Sequence, residues 1–401
     1  MRLTALHHLT AWMRRGFAVA ATMSVGVLLA GCGQFGGYGP REPTLSAPTT
    51  PVQSQPLGPT SLGNGPVHIA LILPLGSSVG TSLRNAAEIS LAKSGSTELT
   101  ISVKDDRSTP EGAREAAQQA IAEGDELIIG PLFANSVREV AGAARVTGRP
   151  VIAFSTDANV ASRGVYLLSF LIEGYVDRII GYAAASGKKS FAALVPDNEY
   201  GNVALAEFQQ EAARLGVRVA GIERFSQGNL TTGVQHIASL GNSIDALFIP
   251  DQADAMPAVA QALTANGIDS KRVQILGTGV WNDPRVLRLA ALQGAWFSSP
   301  ENSGFNSFAQ QYRAKYGAEP ARIASLAYDA VSLVAALARM QGGQRYSESV
   351  LTNPQGFIGI DGVFRFRSDG QSERGLAVEQ IGSGSTTTIS AAPRTFTGSG
   401  T

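Results

Sequence analysis

The chain has 401 residues, 32 basic and 32 acidic side chains, 44% hydrophobic residues and a single cysteine, Cys32. A chain of this length normally divides into two or more cores, and its composition excludes a wholly disordered protein. Neutral balance without a long Lys/Arg run removes the electrostatic footprint of non-specific nucleic-acid binding, and one cysteine excludes intrachain disulfides and thiolate metal clusters.

Residues 1–31 carry Arg2, Arg14 and Arg15 and no acid, and Gly16 to Ala30 is an apolar run too short to span a bilayer comfortably. This is the composition of an export signal peptide. A leader starting at Met13 is also well formed, so Met1 and Met13 both stand as starts. Arg14-Arg15 partly matches a twin-arginine signal, with the general secretory route favoured. Leu29-Ala30-Gly31-Cys32 resembles the lipobox of bacterial lipoproteins, which implies a lipidated Cys32 as the mature N-terminus. Two or three acyl chains would hold a soluble body at a membrane. Without the three leader arginines the mature chain is about three charges negative, so this attachment rests on lipid rather than charge. Residues 32–66, rich in Pro and Gly, read as a tether, and 382–401 as a disordered tail.

The expected folded body is 67–381. Val67 to Leu73 is an apolar run suited to a parallel strand buried on both faces, followed by a helix over 80–93. Leu99 to Val103 reads as a strand. Thr109-Pro110-Glu111 starts a helix, with Thr as N-cap, Pro at the first position and an acid in the first turn. Short strands at 127–130 and 150–155 flank a helix over 135–146. A second series alternates helices near 175–186, 203–215, 234–240 and 256–265 with strands near 191–195, 217–225, 245–250 and 273–277. Two longer helical patterns follow at 303–316 and 321–340. Glycine-punctuated alternation over 356–370 reads as a hairpin, and 376–381 as a strand. These are two α/β halves, which place ligands at strand carboxyl ends or between domains.

Four stretches carry a family resemblance: Ile69 to Leu75; Asp105-Asp106 through Gly130-Pro131; Pro196-Asp197-Asn198-Glu199-Tyr200-Gly201; and Tyr316-Gly317 to Tyr328-Asp329-Ala330 with the Gly359 to Gly370 hairpin. Their order and spacing resemble the type 1 periplasmic-binding-protein superfamily, the branched-chain amino-acid receptor group and its lipoprotein relatives. The resemblance implies an α/β fold of two Rossmann-like lobes, parallel sheets flanked by helices, joined by three hinge crossings. Placing the crossings near Phe170, Phe297 and Leu351 assigns 67–170 and 298–350 to lobe 1, and 171–297 and 351–381 to lobe 2.

By position, the resemblance implies first-lobe ligand contacts from Phe133, Ala134, Asn135, Ser155 and Thr156, and an aromatic cover from Tyr200. Hydroxyl and backbone donors suit a carboxylate without adding a formal charge. Phe133 departs from the small hydroxyl residues of amino-acid receptors. The ammonium-binding acid expected near 277–281 is missing, with Asp283 a few residues late. Asp251 is a further second-lobe polar candidate. Trp281 reads either as a stacking surface for a sugar or apolar ligand, or as hinge packing.

The function implied is a lipid-anchored periplasmic receptor at the cell membrane or outer membrane, delivering a small polar ligand, an amino acid or derivative first, to an ABC permease. The Leu73-Pro74-Leu75 and Gly130-Pro131-Leu132 segments and the tether also resemble penicillin-binding-protein activators, which implies a penicillin-binding protein as the alternative partner. No catalytic or metal-ligand pattern accompanies the four histidines His7, His8, His68 and His236. No enzyme activity, cofactor or metal site is therefore expected.

Overall fold

A computed structural model describes residues 60–396 except 227 and 341. The leader, Cys32 and nearly all of the tether lie outside the described residues. The chain enters through β1 (Ser61–Gly63), β2 (Val67–Leu73), α1 (Ser78–Ser94), β3 (Leu99–Asp105), α2 (Pro110–Glu123), β4 (Ile128–Ile129), α3 (Ala134–Thr147), β5 (Val151–Ala153) and β6 (Val165–Leu167). Their sheet has the order β1-β3-β2-β4-β5-β6, parallel except at β1. Thr109 caps α2 through the Gly112 N–H at 3.0 Å, as its sequence predicts.

The chain then crosses into α4 (Ile172–Ala185), β7 (Ser190–Pro196), α5 (Glu199–Leu215), β8 (Arg218–Phe225), α6 (Leu230–Ser239), β9 (Ala246–Phe248), α7 (Met256–Ala265), β10 (Gln274–Gly277), α8 (Pro284–Leu287) and β11 (Trp296–Ser299). It returns through α9 (Asn302–Tyr316), α10 (Ala324–Ala338), α11 (Glu348–Leu351), β12 (Phe357–Gly359), β13 (Gly362–Phe366) and β14 (Ser372–Arg374), and ends in β15 (Ala377–Gly382) and β16 (Ser385–Ser390). The second sheet runs β16-β15-β11-β10-β9-β7-β8, with β15 and β16 antiparallel and the rest parallel. Each sheet is buried on both faces, which explains the near-continuous apolar runs of β2, β7 and β9. Helix α10 is apolar around most of its circumference because it lies inside the first-lobe core beside α1 and α9.

Three expectations are corrected. The body begins before Val67: β1 pairs antiparallel with β3 and buries Leu62, so the end of the expected tether is an edge strand. The hairpin region joins the first lobe, not the second. Phe364 and Phe366 enter its core beside Tyr166, and the Leu167 N–H donates to the Gly370 carbonyl at 2.8 Å. The third crossing therefore falls at Gly375-Leu376, between β14 and β15, rather than near Leu351. The expected disordered tail contains β16, whose Thr and Ser residues pair with β15 from Ser385 to Ser390. Alternating polar side chains on an edge strand offer no apolar signal, although backbone pairing holds them in place.

Replacing Phe364, 1% exposed in the first-lobe core, with Ala is expected to cost about 3–5 kcal/mol. Urea denaturation of the two proteins measures it; a loss below about 1 kcal/mol would place this ring outside the core.

Candidate functional site

The candidate residues gather in loops at the carboxyl ends of the strands. In the first lobe, Ser77 and Thr109 cap α1 and α2 with their own side chains. Helix α3 differs: Phe133 occupies its N-cap position, offers no side-chain acceptor and is 46% exposed. The first-turn N–H groups beside Ala134 are therefore free of a side-chain cap. Asn135 accepts from Arg138 Nη1 at 2.6 Å, and Arg138 Nη2 donates to Asp157 at 2.9 Å. Ser155 is buried, and its hydroxyl oxygen accepts the Asp157 N–H at 3.1 Å, while Thr156 is exposed. Asn135 and Ser155 thus belong to one polar chain joining the loops after β4 and β5.

In the second lobe, the hydroxyls of Tyr200 and Thr278 meet at 2.7 Å. Burial pushes the Tyr200 phenol up to about 12, and the nearby Asp251 charge adds to the shift. Asp251 is itself buried, which raises its carboxyl above the usual range, although the Gln252 N–H donates to it at 2.7 Å. Tyr175, in the first turns of α4, lies against Gly279, where a Cβ would come within 2.5 Å of its ring. Only glycine permits that approach. Trp281 does not join this group. The 3-10 turn Gly279–Trp281 folds its indole over Gly277, and the side chain is 0% exposed within the second-lobe core.

A charged cluster that sequence reasoning missed sits at the first crossing. Arg322, just before α10, pairs in a two-pronged manner with Asp361 in the β12–β13 turn, at 2.7 and 3.0 Å. Its guanidinium lies 4.8 Å from the Phe170 ring centroid and 4.3 Å from that of Phe305. Arg374 lies 5.0 Å from the same Phe170 ring, donates from Nε to the Ser169 carbonyl at 3.2 Å and stands 3.8 Å from Asp329. Asp329 accepts the Ile360 N–H at 2.7 Å, and Gly359 has no room for a side chain because a Cβ would lie 2.2 Å from the Asp329 carboxylate. Burial drives Asp329 up to about 7, with Arg374 opposing. Tyr175 faces this cluster from the second lobe: burial pushes its phenol far up, and the Arg322 charge moderates the shift. The available signal was an arginine immediately before an almost wholly apolar helix, a position that has to find a partner.

Two Rossmann-like lobes with polar groups gathered at strand ends and at the crossings define a two-lobed clamp of the periplasmic-binding type. The periplasmic binding protein family model matches residues 66–386, and the chain belongs to that family. Among solved structures, it is similar to an ABC transporter substrate-binding protein from Sphaerobacter thermophilus, with 17% identity and a TM-score of 0.65 over 81% of this chain and 96% of that one. It also resembles a Desulfitobacterium hafniense substrate-binding protein in complex with Leu, at 18% identity and a TM-score of 0.61 over 80% and 99% of the two chains. A third is a solute-binding protein from Rhodopseudomonas palustris BisB5 in complex with 3,4-dihydroxybenzoic acid, at 21% identity and a TM-score of 0.58 over 81% and 96%. At these identities the likeness carries the fold. No curated protein sequence matches.

The Asp329 environment has a pH consequence. Its folded-state value of about 7 exceeds the unfolded value of about 4, so the folded state binds the extra proton between them. The stability contributed by this group is full below about pH 4 and is lost as pH rises through about 7. Asp329→Asn removes the titration and keeps an acceptor for Ile360. The stability difference, wild type minus variant, is therefore expected to become less favourable between pH 5 and pH 8. Denaturation midpoints at the two pH values measure it, and a constant difference would refute the shift.

Proposed function

We propose that this chain is a receptor that captures a small polar ligand between its lobes and presents it to an ABC importer, held at the membrane surface by lipid on Cys32. The observation that carries the reading is the set of polar groups at the strand ends: the uncapped start of α3 with Asn135 and Ser155 on one side, and the Tyr200–Thr278 hydroxyl pair with Asp251 on the other. Donors of this kind hold small polar molecules by direction rather than by bulk. An amino acid or derivative remains the first candidate. The aromatic acid in the Rhodopseudomonas palustris complex and the Leu in the Desulfitobacterium hafniense complex both carry a carboxylate, which supports a carboxylate-bearing ligand here. The solved relatives named above are described as transport components, which lends no support to the penicillin-binding-protein activator expectation.

A ligand that binds only the folded state must raise its apparent stability, by about 2.7 kcal/mol at a hundredfold excess over Kd. Thermal unfolding of the purified protein with L-leucine, L-glutamate and benzoate, each up to 10 mM as a roughly saturating dose for micromolar sites, is expected to show a rise with at least one. Flat responses to all three would overturn the receptor reading for this ligand class. With a ligand in hand, Tyr200→Phe is expected to weaken binding about 2- to 10-fold, the effect of losing one hydroxyl hydrogen bond; calorimetric titration gives the ratio, and equal affinities would remove Tyr200 from the site.

A further inference from the structure

We infer that Arg322 seats a carboxylate of the captured ligand on the free edge of its guanidinium, so that the ligand is an organic acid recognised through this fork; the inference rests on the receptor reading above. A guanidinium carries five N–H donors. In Arg322, Asp361 takes one from Nη1 and one from Nη2, and the Ser325 hydroxyl oxygen takes the other from Nη1 at 2.9 Å. The Nε–H and the second Nη2–H have no acceptor among the described residues. They lie on the same edge and form a fork of the width that a carboxylate fills with two parallel hydrogen bonds.

The Arg322 side chain is 34% exposed, whereas Asp361 is 0% exposed behind it, and Nε is not enclosed like the buried unpaired atoms of Arg374. The plane of the fork is held before any ligand arrives: Asp361 grips one edge, and the rings of Phe170 and Phe305 lie 4.8 and 4.3 Å from the guanidinium carbon. A donor fixed in this way loses little rotamer freedom on binding. Phe170 belongs to the crossing itself, and Tyr175 reaches the Arg322 field from the second lobe, so the fork stands where the lobes meet.

The surrounding charge favours an anion. Arg374 adds a second guanidinium on Phe170, with Nη1 and Nη2 lacking hydrogen-bond partners. Of the acids facing the pair, Asp361 is committed to Arg322, and burial pushes Asp329 toward its neutral form. Two guanidiniums are thus opposed by less than two full negative charges around neutral pH, and an incoming carboxylate would complete the balance.

The test compares acids with their amides, which keep shape and lose the charge. Calorimetric titration of the purified protein uses L-leucine and benzoate against L-leucinamide and benzamide. Wild type is expected to bind the acid of at least one pair about 10- to 100-fold more tightly than the amide, the range for a charge-assisted hydrogen-bond pair. The paired variant R322Q/D361N, which leaves no buried carboxylate without its partner, is expected to bind that acid and its amide about equally, and Arg322→Lys to keep only part of the preference. Equal binding of acid and amide by wild type overturns the inference without any variant, and so does a preference that survives in R322Q/D361N; both outcomes leave the receptor reading standing. Failure of every acid and amide to bind wild type overturns the receptor reading and this inference with it.

Discussion

Four buried or half-buried charges around one phenylalanine organise the region where the lobes join. Arg322 and Arg374 share the Phe170 ring, while Asp361 and Asp329 are fully covered. Removing such groups from water costs several kcal/mol per ion unless each finds a counter-charge and further hydrogen bonds. That requirement draws four distant segments together: the first crossing, the start of α10, the β12–β13 turn and β14. The three-stranded sheet of β12, β13 and β14 is consequently held to the first lobe by polar contacts as well as by the Phe364 and Phe366 rings. After Arg374 the chain makes its third crossing, into β15 of the second lobe.

The two lobes prepare their facing loops differently. On the first-lobe side, α1 and α2 satisfy their own first-turn donors, and α3 leaves its donors uncapped because Phe133 stands at the cap. An uncapped helix start supplies directed N–H groups and partial positive charge. On the second-lobe side, the polar groups are hydroxyls and a buried acid, with Tyr200 paired to Thr278. Trp281, the largest side chain near these loops, serves the core instead.

Much of the secondary structure was legible from local pattern. The cap at Thr109 with Pro110, the helix over 256–265 and the apolar strands were read close to their observed limits, because each depends on neighbours within a few residues. Strands β1, β6, β11, β14 and β16 carry no strand signal in the local pattern. They are short or polar, and what makes them strands is pairing with segments distant in the chain: Ser61 to Gly63 with Thr100 to Ser102, and Val165 to Leu167 with Val151 to Ala153. The 356–370 alternation announced a hairpin but carried nothing about which lobe would receive it. Of the residues read as a site, Asn135 and Ser155 share one polar chain, Tyr200 pairs with Thr278 within the field of the Asp251 charge, and Trp281 is enclosed.

The amino-acid order alone carried the alternation of strands and helices, through its periodicity, and the family resemblance with the two-lobed α/β class it implies, through the order and spacing of its motifs. Tertiary structure decided where the third crossing falls, which lobe holds the hairpin, and that Arg322 is committed to Asp361 along one edge. Those outcomes depend on the fate of buried charge. Arg322 and Asp361 are 39 residues apart in the chain and 2.7 Å apart in the fold, and no local pattern carries that contact.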